Sequence, residues 1–293
     1  MIFPEFDPVL IHLGPLAIRW YALAYVSGIL LGWRYTVTLV RNPRIWLGSQ
    51  PTASVAQIDD LVLWITLGVI LGGRLGYVLF YDFKTMMADP SEIFKVWHGG
   101  MSFHGGLIGV TLALLGFAKV NKLNAVRVAD LVAPVVPIGL FFGRIANFIN
   151  GELWGRPTNV PWGMVFCNGR IAQMNGGNCP AGLFTRHPSQ LYEAVLEGLV
   201  LFGVLRWATH KAKWLPREGA ITGLFLMGYA LARISLENVR QPDAQMPDFP
   251  LGLTMGMMLS APMLLIGAFL VWRGLNKPPA PPSEASEQAP AAP

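Results

Sequence analysis

The sequence predicts an all-α polytopic membrane protein, seven transmembrane helices carrying a small head on the outer side. Three observations lead there. The 293 residues are 53% hydrophobic and 13% charged, with mean hydropathy +0.45, whereas a soluble domain carries about 25% charged residues. Seven continuous apolar segments are each long enough to cross about 30 Å of hydrocarbon as a helix. Phe, Trp and Tyr, numbering 16, 10 and 7, gather near the ends of those segments, where interfacial belts form. A chain this apolar is not disordered. The net charge of +5 comes from scattered residues that form no stripe, so no nucleic-acid partner is expected.

The segments run approximately 14–40, 58–80, 102–120, 128–150, 189–209, 219–238 and 251–273. They do not alternate in the manner of barrel strands. The first is not a cleavable signal peptide, since Glu5 and Asp7 precede it without a basic n-region. In the second, Gly68, Gly72 and Gly76 stand at the small-xxx-small spacing that accompanies close helix packing. The third holds Gly105, Gly106 and Gly109, so its outer end is expected to be irregular or re-entrant. Between the fourth and fifth, residues 151–188 are rich in Gly, Asn and Pro and form the head, either functional or a tolerated insertion. Residues 1–276 make one domain. The Pro/Ala-rich residues 277–293 form a disordered tail, and no internal repeat supports an inverted-repeat transporter.

Lys and Arg set the orientation. Eleven (Arg41, Arg44, Lys119, Lys122, Arg127, Arg206, Lys211, Lys213, Arg217, Arg273, Lys277) fall in alternate loops, against six (Lys84, Lys95, Arg156, Arg170, Arg186, Arg240) on the other side. The N-terminus is therefore outside and the C-terminus cytoplasmic. Cys167 and Cys179 lie in the outer loop, where one disulfide is permitted.

Seven ionisable residues fall in the outer halves of the spans: Arg19, Arg74, Arg144, Arg233, Glu193, Glu197 and Glu237. Arg34, Asp59, Asp60 and Asp130 sit near the cytoplasmic ends, where they snorkel or cap. A charge at the bilayer centre costs at least about 2.5–3.5 kcal/mol, so an intramembrane charge is a functional candidate. For Glu193, Glu197, Arg19 and Arg74, pairing that fixes helix packing is an equal reading. For Arg144 and Arg233 function is favoured: four arginines face three carboxylates, and the positive surplus suits a phosphate, which guanidinium binds bidentately. Tyr229, Arg233, Glu237 and Arg240 recur at i, i+4, i+8 and i+11 on one helical face, and Arg144 and Asn147 at i and i+3. His104 lies at the same depth beside Gly105, either a hydrogen-bonded structural residue or a base. No Cys/His/Asp cluster has metal-ligand spacing, no G-x-S-x-G elbow has a histidine partner, and no metal or other cofactor is expected.

The runs GGRLGYVLFYDF (72–83), MSFHGGLIG (101–109), GRIANFINGELWGRP (143–157), RHPSQLYE (186–193) and RQPDAQ (240–245), with the N-terminal FPEFDPV and RWYALAY, resemble the bacterial prolipoprotein diacylglyceryl transferase family. The resemblance covers residues 1 to about 273. Residues 167–185 and the tail depart from it. It implies seven helices with a periplasmic head in the bacterial inner membrane. It also implies transfer of the sn-1,2-diacylglyceryl group from phosphatidylglycerol to the lipobox cysteine of a prolipoprotein, giving a thioether and glycerol 1-phosphate. By motif position it marks Tyr21, His104, Arg144, Asn147, Glu152, Gly155, Tyr229, Arg233, Glu237 and Arg240, supported by Gly99, Gly105, Arg74 and Tyr81.

For that reaction, His104 is the candidate base for a thiol of pKa about 8.5. Arg144 and Arg233 would stabilise the phosphate leaving group, while Tyr21, Asn147 and Tyr229 orient substrate oxygens. Glu237 would hold an arginine or meet the thiol substrate. In a competing version the arginines alone lower the thiol pKa and His104 only positions its loop. The alternative function is a non-catalytic phospholipid transporter or scramblase, which needs a polar path into the cytoplasmic half. An alcohol phosphotransferase lacks its aspartate-rich motif here, since Asp59-Asp60 alone is too little.

Overall fold

The computed structural model describes residues 1–14, 16–83, 89–95, 100–242 and 249–278; Gly99 and nearly all of the Pro/Ala tail lie outside them. A hairpin opens the chain, β1 (Val9–Leu13) pairing antiparallel with β2 (Leu16–Arg19), and α1 (Trp20–Arg41) follows directly. The first span therefore starts at residue 20 instead of 14. An apolar run alone does not tell strand from helix, and Gly14, at φ +60°, makes the turn. Arg19, expected inside the bilayer, stands exposed at the strand end.

α2 (Val55–Phe80) starts in a capping box: Gln57 N donates to Ser54 Oγ (3.2 Å) and Ser54 N to Gln57 Oε1 (2.9 Å). α3 (Phe103–Val120) is a continuous helix from its Ser102 cap onward, not the irregular segment its glycines predicted. Those glycines serve contact instead. A Cβ at Gly76 would lie 2.6 Å from Gly105 Cα, and one at Gly68 2.7 Å from Gly109 O. The two backbones thus touch along a glycine seam, as the small-residue spacing predicts.

α4 (Ala125–Val132) and α5 (Val136–Asn150) occupy the fourth segment, bent by 45°. Pro134 in the break lacks the N–H that a continuing helix needs, and Pro137 sits in the first turn of α5, where that loss is harmless. The head contains α6 (Gly169–Met174). The fifth segment runs as α7 (Ser189–Glu193), a π turn (Ala194–Val200) and α8 (Leu201–His210); α9 (Ala220–Leu236) and α10 (Met255–Asn276) complete the chain.

Helices α1, α2, α3 and α10 are long and apolar enough to cross a membrane, and α4 with α5 makes a fifth such span. The chain is thus a multi-pass membrane protein. Of the other two expected spans, one is divided by the π turn and α9 has 17 residues. The small hairpin also makes the fold mostly rather than wholly helical.

Among the described residues, two apolar clusters bracket the molecule. The larger packs Leu39, Trp46, Ile58, Phe117, Leu131, Leu205 and Ile221 at one end of the bundle. The smaller, Phe3, Phe166 and Ala181 with Trp154 and Ile171, is the core of the head. The N-terminus closes that head as a strap: Phe3 N donates to Val165 O (3.0 Å), Val165 N to Met1 O (2.8 Å), and Arg170 pairs with Asp7 at 2.7 Å. That arginine holds the Asp7 carboxyl below its usual pKa. Cys167 and Cys179 form the disulfide the outer loop allowed, with Cα atoms 5.4 Å apart.

Candidate active site

Between the two apolar clusters, the end of α5, the α7–π segment and the end of α9 bring five charges together. Arg144 Nε lies 2.7 Å from Glu193 Oε2 and its Nη2 3.5 Å from Glu197 Oε2. Arg233 Nη2 lies 3.0 Å from Glu237 Oε1. Glu193 and Glu197 each interact electrostatically with both arginines, so the two ion pairs are one cluster. All three carboxylate residues are buried, whereas the arginine side chains keep 17% and 14% exposure. The π segment packs tightly on α5, where a Cβ at Gly198 would lie 2.7 Å from Phe141 Cβ. π turns are frequent at functional sites.

This arrangement corrects the charge count. Arg19 is exposed on the hairpin. Arg74 is buried elsewhere, its Nε donating to Ile93 O and its Nη1 to Gly100 O, each at 3.0 Å. Two arginines therefore meet three carboxylates, and the expected positive surplus is absent from the cluster. A different feature favours an anion. Arg233 Nη1 is buried without a hydrogen-bond acceptor among the described residues. Glu193 and Glu197 hold Arg144 from one side through these ion pairs. Buried polar atoms are nearly always partnered, so the Arg233 donor is free to take an acceptor from water or a ligand.

Asn147 extends the cluster toward the head. Its Nδ2 donates to Tyr21 Oη (3.3 Å) and Glu152 Oε1 (2.9 Å). Gly151, at φ +69°, ends α5 and turns the chain so that Glu152 folds back on the helix it has just left. Tyr21 and Tyr229 both lie within electrostatic reach of Arg144, and Tyr229 stacks on Phe225.

Gly155 pairs with Arg240 in an antiparallel bridge and donates its N–H to His187 O (2.8 Å). A Cβ there would lie 2.7 Å from His187 Cβ, so close backbone approach requires glycine. Arg240 is thus off the helical face assigned to it: α9 stops at Leu236, and Arg240 crosses to the head, where its carbonyl accepts from Arg156 Nε at 2.9 Å.

The remaining expected residues stand apart. His104 is exposed in the first turn of α3, touches the Phe103 ring, and shares no hydrogen bond with the cluster. Gly105 is buried in the glycine seam and approaches α2 rather than a ligand. Tyr81 is 63% exposed at the end of α2, stacked on Tyr77. Gly99 lies outside the described residues.

Sequence reasoning passed over Arg186, Ser189 and Gln190, although they stand in the quoted run 186–193. Arg186 Nε donates to Ala181 O (2.6 Å) and its Nη1 to Gly155 O (3.0 Å) and Gln241 Oε1 (3.2 Å), with Phe184 and Trp154 rings against its guanidinium. Fully buried Ser189 and Gln190 reach Leu153 O (3.1 Å) and Glu152 O (2.5 Å). These residues fasten the head to the bundle beside the cluster. A signal was available: polar residues continue into the start of an apolar helix.

Comparison with known proteins agrees with the quoted motifs. The sequence model of the family described as prolipoprotein diacylglyceryl transferase matches residues 8–273. A protein of Phenylobacterium zucineum (strain HLK1), named phosphatidylglycerol--prolipoprotein diacylglyceryl transferase, is 63% identical over 291 residues, covering 99% of this chain and all of that one. Proteins of the same name from Caulobacter sp. (strain K31) and Sinorhizobium medicae (strain WSM419) are 60% and 53% identical, covering 96% and 92% of this chain and 97% and 93% of their own. By matched length and identity alike, this chain belongs to the prolipoprotein diacylglyceryl transferase family.

Proposed function

We propose that this chain transfers the sn-1,2-diacylglyceryl group of phosphatidylglycerol to the lipobox cysteine thiol of a prolipoprotein, in a bacterial inner membrane. The proposed topology has seven spans, with the N-terminus and head periplasmic and the C-terminus cytoplasmic; the Lys/Arg bias supports it. The observation that carries the chemistry is the buried, acceptorless Nη1 of Arg233 in the same cluster as Arg144.

The thiolate sulfur attacks the glycerol carbon that bears the phosphate ester. A C–S bond forms, the C–O bond breaks, and its electron pair goes to the phosphate oxygen. Glycerol 1-phosphate leaves, and the thiol proton passes to a base or to water. The leaving group gains negative charge, so stabilisation depends on donors aimed at phosphate. Arg233 Nη1 is one. Arg144 supplies more by turning from Glu193 and Glu197, since guanidinium–phosphate forks are strong, charge-assisted bonds. The carboxylates keep both guanidiniums in place between turnovers, and Tyr21, Asn147 and Tyr229 line the approach. Glu152, Gly155 and Arg240 hold the adjoining head segment in place, with Arg74, Tyr81 and Gly105 shaping the α2–α3 side. His104 as base needs a peptide lying across the first turn of α3, because it stands outside the cluster.

The test is mass spectrometry of a lipobox peptide incubated with the purified protein and phosphatidylglycerol of defined chains. The expected result is a mass gain of one diacylglyceryl unit, absent with a Cys→Ser peptide and reduced roughly 10²–10³-fold in Arg233→Ala, the usual loss for one charge-stabilising donor. No adduct from folded protein, with labelled lipid crossing the bilayer instead, would establish the transporter reading.

A further inference from the structure

Helix α1, helix α5 and the π–α8 segment enclose an open groove of about 540 Å³, within the roughly 300–1,000 Å³ of small-ligand sites. Its walls are apolar, formed by Leu31, Tyr35, Ile138, Phe141 and Phe202, and its only charged lining residues are Arg34 and Arg206. Both are exposed. Arg206 lies over the Tyr35 ring at 5.9 Å, and neither arginine has a carboxylate within ion-pair distance among the described residues. These are the residues that the sequence placed near the cytoplasmic ends, and the transferase reaction makes no use of them.

Depth separates this groove from the cluster. Arg34 follows Tyr21 by thirteen residues on α1, and Arg206 follows Glu193 by thirteen along its helix. At 1.5 Å per residue each lies about 20 Å from the level of the Arg144 network, beyond the middle of a hydrocarbon layer about 30 Å thick. Two unpaired guanidiniums over an apolar slot at this depth complement one chemistry: a phosphate at the interface with acyl chains below it. Basic pockets between transmembrane helices bind anionic headgroups in this way.

We propose that the groove is a binding site for an anionic glycerophospholipid of the leaflet opposite the active cluster, its phosphate held by Arg34 and Arg206 and an acyl chain lying along Tyr35, Phe141 and Phe202. A phosphate held there is too far from Arg144 to react, so this lipid is bound and not consumed. Its chain lies against Gly198, next to Glu197, and braces α1 on the π turn.

Native mass spectrometry of the detergent-purified protein, titrated with phosphatidic acid or with phosphatidylcholine of the same chains and without peptide, tests this. The expected result is one phosphatidic acid bound at least tenfold more tightly than phosphatidylcholine. That binding is lost in the double variant Arg34→Gln/Arg206→Gln and in Thr38→Trp, which fills the groove without changing charge, and is kept in Arg144→Gln. Equal retention of the two lipids by the unsubstituted protein would show that the arginines merely snorkel, and would overturn the proposal without needing any variant. Loss in Arg144→Gln with retention in the double variant would make the groove the tail slot of the reacting lipid instead. Peptide modification is read separately, so either failure leaves the transferase reading distinguishable.

Discussion

Asp130 and Arg233 show the two ways in which a buried polar side chain in the bundle stands toward its neighbours. Asp130 is the well-satisfied case. Only 1% exposed, it accepts from Gly219 N (2.6 Å), Thr222 N (2.8 Å) and Thr222 Oγ1 (2.7 Å), capping α9 from a neighbouring helix. A hydrogen bond to a charged group contributes about 1.5–3 kcal/mol. Asp130→Ala, which orphans three donors, is therefore expected to destabilise the protein by at least about 2 kcal/mol, read as a lowered thermal midpoint in detergent. Arg233 Nη1 is the opposite case, a buried donor with no acceptor among the described residues, which the proposed reaction would occupy with phosphate. His104 tests a third role. With no bond to the cluster, His104→Gln is expected to keep the transfer rate within about tenfold, whereas a general base contributes 10²–10⁴-fold. A loss of 10² or more, with the lipid KM unchanged, would establish it as the base.

At the scale of elements, glycine seams set how closely helices approach and hence where side chains end up. Gly256, in the first turn of α10, has the Glu237 carboxylate where its Cβ would be: that Cβ would lie 2.6 Å from Glu237 Cδ. Glu237 is thus lodged between Arg233 and the positive N-terminal end of α10, which favours a carboxylate. Gly256→Ala is expected to displace Glu237 and loosen Arg233, lowering kcat about tenfold with a smaller change in thermal midpoint. A variant with unchanged kcat would show that Glu237 has room to move freely. The α2–α3 seam has a different effect: Gly76→Val, forced to within 2.6 Å of Gly105 Cα, separates two helices and is expected to abolish folding, measured as loss of monodisperse protein.

Taken whole, the molecule is a bundle with a tied-down head, and the tie is expected to respond to pH. His187 joins the two: its N–H and carbonyl bridge to Arg156 and Gly155, and its Nδ1 lies 3.3 Å from Tyr192 Oη, which accepts from Trp162 Nε1 at 2.5 Å. Burial lowers the His187 pKa from its ordinary value of 6.5. The unfolded head then binds this proton more readily than the folded one. Its contribution to stability is present above pH 6.5 and is lost as pH falls through the lowered folded value. Hydrogen exchange over residues 155–166, corrected for intrinsic rates, is expected to quicken between pH 7.5 and 5.5 in the native protein and not in His187→Gln. The disulfide acts on the same unit: its cysteines are 12 positions apart, and closing a loop of about that size stabilises by roughly 3 kcal/mol in the chain-entropy account. Cys167→Ser/Cys179→Ser is therefore expected to hasten proteolysis of the head while leaving the bundle intact.

Composition and apolar length were enough to read a multi-pass helical membrane protein, because transfer from water to lipid acts on each segment separately and leaves its mark in local sequence. Motif runs likewise placed the family. Arg144 and Arg233 stood out because an intramembrane charge is costly wherever it pairs. What they pair with was not local information. The three-to-two balance of Glu193, Glu197 and Glu237 against two arginines depends on which helices meet. The removal of Arg19 to a hairpin, of Arg74 to the loop carbonyls of Ile93 and Gly100, and of Arg240 to the head depends on where helices stop. Apolar periodicity also missed the π turn and the bend after α4, since both arise as segments adjust to their neighbours. Charge and hydrophobicity belong to residues and can be counted along a chain. Electrostatic balance belongs to distances of a few ångströms between residues far apart in sequence, and only packing sets those.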